Sequence, residues 1–203
     1  MCSVNLLDEN LVLWNNFRDG DANAFGELMR LHYADLYNYG TRFTKKSELV
    51  KDCIQDLFLS LWKNRTTISE TTFVKYYLLK SLRRLLHRAV GREKRSYISM
   101  YKEFEFERLF NENDSIENKI VLNEQYLEIS MKMRKLLGNL TKRQQEVIYL
   151  RFFMDADIDE IVDITSLNKQ SVYNLLSDAL KKLKKLTSQK SFSFSSFFNT
   201  WLF

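Results

Sequence analysis

The sequence predicts an all-α protein of two small helical domains joined by a linker, with a helix-turn-helix in the C-terminal domain. Its 203 residues include no proline and five glycines, so few positions favour a helix break. Apolar residues recur at three- and four-residue spacing, and no alternating run bounded by turn residues occurs. A hydrophobic content of 45% allows two cores, each in a domain of about 100 residues.

Four helices are predicted in the N-terminal half from this periodicity. They cover residues 6–18, 24–44, 48–64 and 71–88. Gly20 and its two acidic neighbours separate the first two helices, and short polar segments follow the second and the third. Gly91 and the two residues before it are expected to interrupt the fourth.

One flank of the third predicted helix combines acidic and amide side chains with large aromatic residues. These residues are Asp52, Gln55, Asp56, Phe58 and Trp62. Because aromatic residues dominate the energetics of protein interfaces, the pattern favours a protein-docking face. Alternatively, Phe58 and Trp62 belong to the core.

The fourth predicted helix lies in the most basic part of the chain. Residues 66–100 contain eight Lys and Arg residues against two Asp and Glu residues, a net charge of +6. Such a block is the electrostatic footprint of a nucleic-acid site, although a solvated surface has the same composition. The candidate DNA-binding residues here are Lys75, Tyr76, Lys80, Arg83, Arg84 and Arg88. Tyr76 is suited to stacking on an unpaired base.

Three further helices are predicted between residues 141 and 186. Thr141 with Gln144, and Asp157 with Glu160, form capping boxes for the first two helices, and Asn168 caps the third. A short helix, a tight turn and a longer helix together make a helix-turn-helix.

The last of these helices has two different faces. Apolar residues from Val172 onward form one face, and the other begins with Lys169, Gln170, Tyr173 and Asn174. In DNA-binding proteins of this type such residues reach base edges, where Gln and Asn suit adenine and Lys suits guanine. A generic helical hairpin with a solvated, lysine-rich end is the alternative.

The sequence gives no sign of an enzyme. It contains no Gly-rich phosphate loop, nucleophile–base pair or metal-ligand cluster, so no catalytic residue, cofactor, metal or small-molecule substrate is expected. Cys2 and Cys53 lack ligand-like spacing and suit a reducing compartment, and His32 and His87 have no partner motif. No secretory signal and no apolar stretch of about 20 residues is present, so a cytoplasmic protein is expected.

Both halves resemble bacterial sigma factors. The C-terminal half resembles their promoter-binding domain in an L-x-x-R-Q-x-E-V start followed by D-E-I and S-V, at Leu140, Arg143, Gln144, Glu146, Val147, Leu150, Arg151, Phe152, Asp159, Glu160, Ile161, Ser171, Val172 and Ala179. The N-terminal half resembles the N-terminal sigma domain at Gly20, Asp21, Ala24, Phe25, Asp52, Gln55, Phe58 and Trp62. Two such domains with a short linker are typical of the extracytoplasmic-function (ECF) group.

The resemblance implies a role for each part of the chain. Residues 1–97 would dock core RNA polymerase through the flank from Asp52 to Trp62 and hold the melted promoter strand on the basic helix. Residues 98–124 would be the linker, and residues 125–190 would read upstream promoter DNA. The implied function is to start transcription of a specific gene set, with an anti-sigma factor as a further expected partner.

Some features depart from the family or lie outside its pattern. Many members carry Arg at the position of Asn174 and a basic residue at that of Asp178, so their promoter sequence is not transferable. The aromatic tail, residues 191–203, either folds back on a domain or forms an exposed docking or membrane-surface segment. Two rival functions are a helix-turn-helix transcriptional regulator that does not bind core polymerase and a helical protein-binding adaptor.

Overall fold

The computed structural model describes residues 3–44, 46–93, 133 and 135–188, and within these ranges it contains helices and no strand. The helices are α1 (Ser3–Arg18), α2 (Ala22–Gly40), α3 (Ser47–Asn64), α4 (Val74–Glu93), α5 (Lys142–Phe152), α6 (Ile158–Thr165) and α7 (Lys169–Ser188). The prediction of an all-α fold is therefore confirmed. The predicted linker and the aromatic tail lie outside the described residues.

The chain divides into two compact units. The first contains α1–α4, and the second contains α5, α7 and most of α6. None of the helices in the described ranges is long and apolar enough to cross a membrane.

The first unit has an aromatic and aliphatic core. Trp14 and Phe17 of α1 are fully buried, with ring centroids 5.3 Å apart. The other helices contribute Leu36, Tyr39, Ile54, Leu57, Leu78, Leu82 and Leu86. These residues lie on the stripes that the periodicity predicted, because a helix that packs on one side buries residues three and four apart.

The turn between α1 and α2 follows from two consecutive residues, Gly20 and Asp21. Gly20 has a φ of +100°, a backbone conformation that residues with a Cβ rarely adopt. The side chain of Asp21 then accepts hydrogen bonds from the backbone N–H groups of Asn23 and Ala24. This N-cap satisfies donors that the first turn of a helix leaves open, so α2 begins here.

Several predicted helix bounds differ from the structure, most clearly in α2 and α4. α2 ends at Gly40 and not near Thr44, because the N–H groups of Arg42 and Phe43 bond to carbonyls three residues earlier and form a tight turn. α4 begins at Val74 and continues through Gly91, where an interruption was predicted. A single glycine costs a helix about 1 kcal/mol relative to alanine, too little to break a helix packed along its length.

The second unit has the predicted caps. Both capping boxes are present, at Thr141 and at Asp157, and Oδ1 of Asn168 accepts a hydrogen bond from the N–H of Ser171 across 2.7 Å. Ser166 has a φ of +58° and ends α6 in the left-handed conformation. The short α6, this turn and the longer α7 have the order of elements that defines a helix-turn-helix.

The buried side-chain amide of Gln145 fixes the segment that leads into α5. Nε2 of Gln145 donates to the carbonyl oxygens of Leu137 and Leu140, at 3.0 and 3.1 Å. Gln145 itself is buried, so these bonds satisfy a polar group that would otherwise be costly inside the unit. They fix the chain just before the Thr141 cap.

Candidate functional site

The outer face of α3 is acidic and polar, with one exposed apolar side chain. Asp52, Gln55 and Asp56 are exposed, and Leu59 has 60% of its surface open to solvent. Asp52 lies three and four residues before Gln55 and Asp56, and Leu59 lies four and three residues after them, so the four share a face. We call this set the α3 face. Leu59 was not among the predicted docking residues, although its position opposite the buried stripe of Ile54 and Leu57 indicates its exposure.

The two aromatic residues predicted beside this face lie deeper. Phe58 is 3% exposed, and its ring centroid lies 6.0 Å from that of Phe25. Trp62 is half-buried, 5.0 Å from Phe25, and the guanidinium of Arg65 lies 4.6 Å from the centre of its ring. Phe58 therefore belongs to the core, as the alternative interpretation held, and a docking role for either residue stays a prediction.

Most of the basic candidates on α4 share one side of the helix. Tyr76, Lys80, Arg83 and Arg84 follow at spacings of three and four residues, opposite the buried Leu78, Leu82 and Leu86. Arg88 is exposed one turn beyond Arg84. We call these five residues the α4 face. The positively charged side chains in such a row can bind the phosphate groups of a nucleic-acid backbone.

Lys75 does not belong to this group. Its Nζ lies 2.9 Å from Oδ2 of Asp35 in α2, and it is partly buried between the two helices. Lys75 precedes the buried Leu79 and Leu82 by four and seven residues, so it lies toward the packed side of α4 and not on the α4 face. Its predicted role in DNA binding stays a prediction.

An aromatic pair at the start of α4 was also not foreseen. Phe73 is 48% exposed because α4 begins one residue later, so Phe73 lies off its apolar stripe. Its ring centroid is 6.3 Å from that of Tyr76. An exposed ring beside the α4 face offers a surface on which an unpaired base can stack.

The polar side of α7 is exposed to solvent. Lys169, Gln170, Tyr173 and Asn174 all face solvent, and Tyr173 has 49% of its surface open. Val172, Leu176, Ala179 and Leu183 on the opposite side are buried. The periodicity therefore predicted both faces of this helix, and the polar side chains are free of the core.

Two side-chain interactions organise this polar side. Nζ of Lys169 donates to both carboxylate oxygens of Asp159 in α6, at 2.7 and 3.0 Å. The hydrogen bond that Lys169 donates to Asp159 raises the pKa of Lys169. Four residues apart on α7, Nε2 of Gln170 donates to Oδ1 of Asn174 across 2.9 Å.

The remaining titratable candidates have structural surroundings. Cys53 is buried, and its burial raises the pKa of the thiol, which disfavours the reactive thiolate. His32 is also buried, next to Asn10. No group of three or more His, Cys, Asp or Glu side chains within the described residues could hold a metal ion.

Family models match both units. The model of sigma-70 region 2 matches residues 28–96, and the model of sigma-70 region 4 matches residues 130–183. Together the two matches cover more than half of the chain. The first includes the α3 and α4 faces, and the second includes the helix-turn-helix.

Individual relatives cover nearly the whole chain. The bacteriocin UviA of Clostridium perfringens is 26% identical over 194 residues, covering 88% of this chain and 97% of that protein. The solved structure of CnrH with the cytosolic domain of CnrY has a TM-score of 0.58 at 19% identity, covering 90% of this chain and 99% of that one. The sigma factor RpoE of Bartonella quintana, solved with the anti-sigma factor NepR, has a TM-score of 0.55 at 17% identity, covering 82% and 98%. The two solved structures establish the likeness of fold.

Proposed function

The chain belongs to the sigma-70 family as an ECF-type sigma factor, and from this membership we propose that it binds core RNA polymerase, recognises promoter DNA with both domains and starts transcription of a specific gene set. The observation that carries the proposal is the presence of regions 2 and 4 in one chain, each with an exposed polar face on a matched helix. A helix-turn-helix regulator that does not bind core polymerase would need only the second unit, to bind DNA.

We assign core polymerase to the α3 face. Acidic and amide groups around a single exposed leucine have the composition of a protein interface, with a desolvated apolar centre and a polar rim. The family assignment supplies the partner. Phe58 and Trp62 would support this face from beneath, through their packing against Phe25.

The α4 face would hold the melted promoter strand. Lys80, Arg83, Arg84 and Arg88 supply positive charge for the backbone, and Tyr76 supplies an aromatic ring for an unpaired base. Base stacking on an aromatic side chain contributes about 1–3 kcal/mol, which offsets part of the cost of separating the strands. Residues 1–97 would thus be the polymerase and melted-strand domain.

The polar side of α7 would read the upstream promoter element. Lys169, Gln170, Tyr173 and Asn174 are exposed in the first two turns of α7, the part of a recognition helix that would meet base edges. The proposed promoter-binding domain is 125–190, joined through 98–124. An anti-sigma factor is also proposed as a partner, because the sigma factor RpoE of B. quintana was solved in complex with one.

Binding of the full chain to bacterial core polymerase tests the proposal. The variants are Asp52→Ala and Gln55→Ala, which change exposed side chains, with Glu9→Ala on α1 as the matched control. Trp62→Ala is less suitable because Trp62 also packs on Phe17 and Phe25. We expect tight binding that both α3 variants weaken and the control does not. A folded chain that does not bind core polymerase would instead support the DNA-binding regulator.

A further inference from the structure

The side chains of Gln170 and Asn174 are hydrogen-bonded to each other in the absence of DNA. The 2.9 Å hydrogen bond uses one N–H of Gln170 and the side-chain oxygen of Asn174. The acceptor Oε1 of Gln170 and the amide N–H groups of Asn174 remain for another partner. If both amides rotate, the donor and acceptor exchange places, and the pair still presents one of each.

A donor and an acceptor side by side match adenine. In the major groove adenine presents the acceptor N7 and the donor N6–H₂, whereas guanine presents two acceptors, N7 and O6. Guanine would therefore place one acceptor against the amide oxygen of the pair with no proton between them. The hydrogen bond between the two amides also favours the rotamers in which they lie side by side, which lowers the entropy lost on binding.

The groups that read guanine are absent or occupied on this surface. The sequence contains no arginine after Arg151, so neither α6 nor α7 carries one. Lys169 is the cation nearest to the pair along α7, and both oxygens of the Asp159 carboxylate hold its Nζ. A lysine held in this way is turned toward α6 and has to lose two charge-assisted bonds before it can reach a base.

We propose, on the basis of the proposed function, that α7 reads an adenine of the upstream promoter element through the joined amides of Gln170 and Asn174. Asp159 is a positioning residue that keeps Lys169 from reading guanine. Lys169 then either binds a phosphate of the adjacent DNA backbone or stays paired with the carboxylate of Asp159. The preference for adenine follows from the side chains of this chain, the bonded amides of Gln170 and Asn174 and the ion pair between Lys169 and Asp159.

The test is a selection from duplex DNA with a randomised upstream element, using the complex of the full chain with core polymerase. The wild type is expected to enrich adenine at one or two positions. Gln170→Ala and Asn174→Ala should each reduce that preference by about 5- to 150-fold, the effect of losing one well-placed base contact. The double variant should lose little more than either single variant, because the two side chains act together. Lys184→Ala, an exposed change far along α7, should leave the preference unchanged.

Asp159→Asn tests the positioning role separately. Removing the charge frees Lys169, so a preference for guanine should appear beside the adenine, and adding Lys169→Ala should abolish it. A merely structural role for Asp159 would lower stability without creating a new base preference.

Contrary outcomes separate this inference from the proposed function. A complex that assembles but selects guanine, or an adenine preference unaffected by both amide variants, overturns the inference and leaves the sigma factor standing. Losses that add fully in the double variant also overturn it, because the amides would then read independently. A chain that forms no complex with core polymerase overturns both.

Discussion

Nε2 of His32 in α2 donates a hydrogen bond to Oδ1 of Asn10 in α1 across 3.0 Å. His32 is 5% exposed, and its burial lowers the pKa of the imidazole. The neighbouring Asp35 opposes this shift and Lys75 adds to it. A histidine that resists protonation in the folded state makes the first unit sensitive to acid.

The first prediction is therefore a loss of stability at low pH that depends on His32. Because the pKa is lower in the folded than in the unfolded chain, the unfolded chain binds the proton more readily. The stability that His32 contributes is complete above its ordinary pKa of about 6.5 and falls as the pH drops toward the folded value. Urea unfolding of the wild type and of His32→Gln at pH 8, 7, 6 and 5 measures the difference. Parallel pH profiles for the two proteins would contradict the prediction.

The second prediction uses two glycines of the same helix. A Cβ on Gly40 would lie 2.5 Å from Cγ1 of the buried Val50, whereas one on Gly26 would meet nothing within 4 Å. Gly40→Ala should lower the free energy of unfolding by about 1–3 kcal/mol through overpacking. Gly26→Ala should raise it by about 0.5–1 kcal/mol, because alanine favours the helix.

A double variant tests whether Val50 is the residue that excludes a methyl group at Gly40. Adding Val50→Ala to Gly40→Ala makes room for the new methyl group, so the double variant should lose less than the sum of the single losses. Additive losses would mean that the contact between α2 and α3 is not what excludes a side chain at Gly40.

The third prediction concerns Leu59. As the exposed apolar centre of the α3 face, it should anchor core polymerase, so Leu59→Ala should weaken binding at least tenfold, the equivalent of about 1.4 kcal/mol. Val12→Ala removes a similarly exposed apolar side chain, 57% open, from α1 and should have no effect. Equal affinities for the wild type and Leu59→Ala in a competition assay would exclude Leu59 as the anchor.

The fourth prediction separates the α4 face from Lys75. Arg84→Ala should lower the dependence of single-stranded DNA affinity on salt by about 0.7 in the slope of log K against log salt, the loss of one phosphate contact. Lys75→Ala should leave this slope unchanged, since Asp35 holds its charge. Titrations of the polymerase complex at several salt concentrations measure both, and an equal effect of the two changes would argue against the α4 face.

The caps and the faces of the helices could be predicted because short-range rules determine them. Thr141, Asp157 and Asn168 each bond to backbone three residues away, so the pattern is visible in the sequence. The exposure of Lys169 to Asn174 follows in the same way from the spacing of the buried residues on α7.

Other features depend on contacts between elements and could not be predicted from spacing. The bonds from Lys75 to Asp35 and from Lys169 to Asp159 join different helices and change what each lysine can do. The helix ends were misjudged for a related reason, since the tight turn after Gly40 and the packing along α4 override local preference. The exposure of Phe73 likewise depends on where α4 begins, one residue after it.

Reconstituted transcription tests the central claim most directly. The full chain and bacterial core polymerase are incubated with a pool of promoter fragments from the source genome, and the transcripts are compared with those of core polymerase alone. We predict discrete transcripts that require the chain, that share an upstream element and that are strongly reduced by Gln55→Ala. A folded chain that neither binds core polymerase nor yields any transcript would contradict its role as a sigma factor.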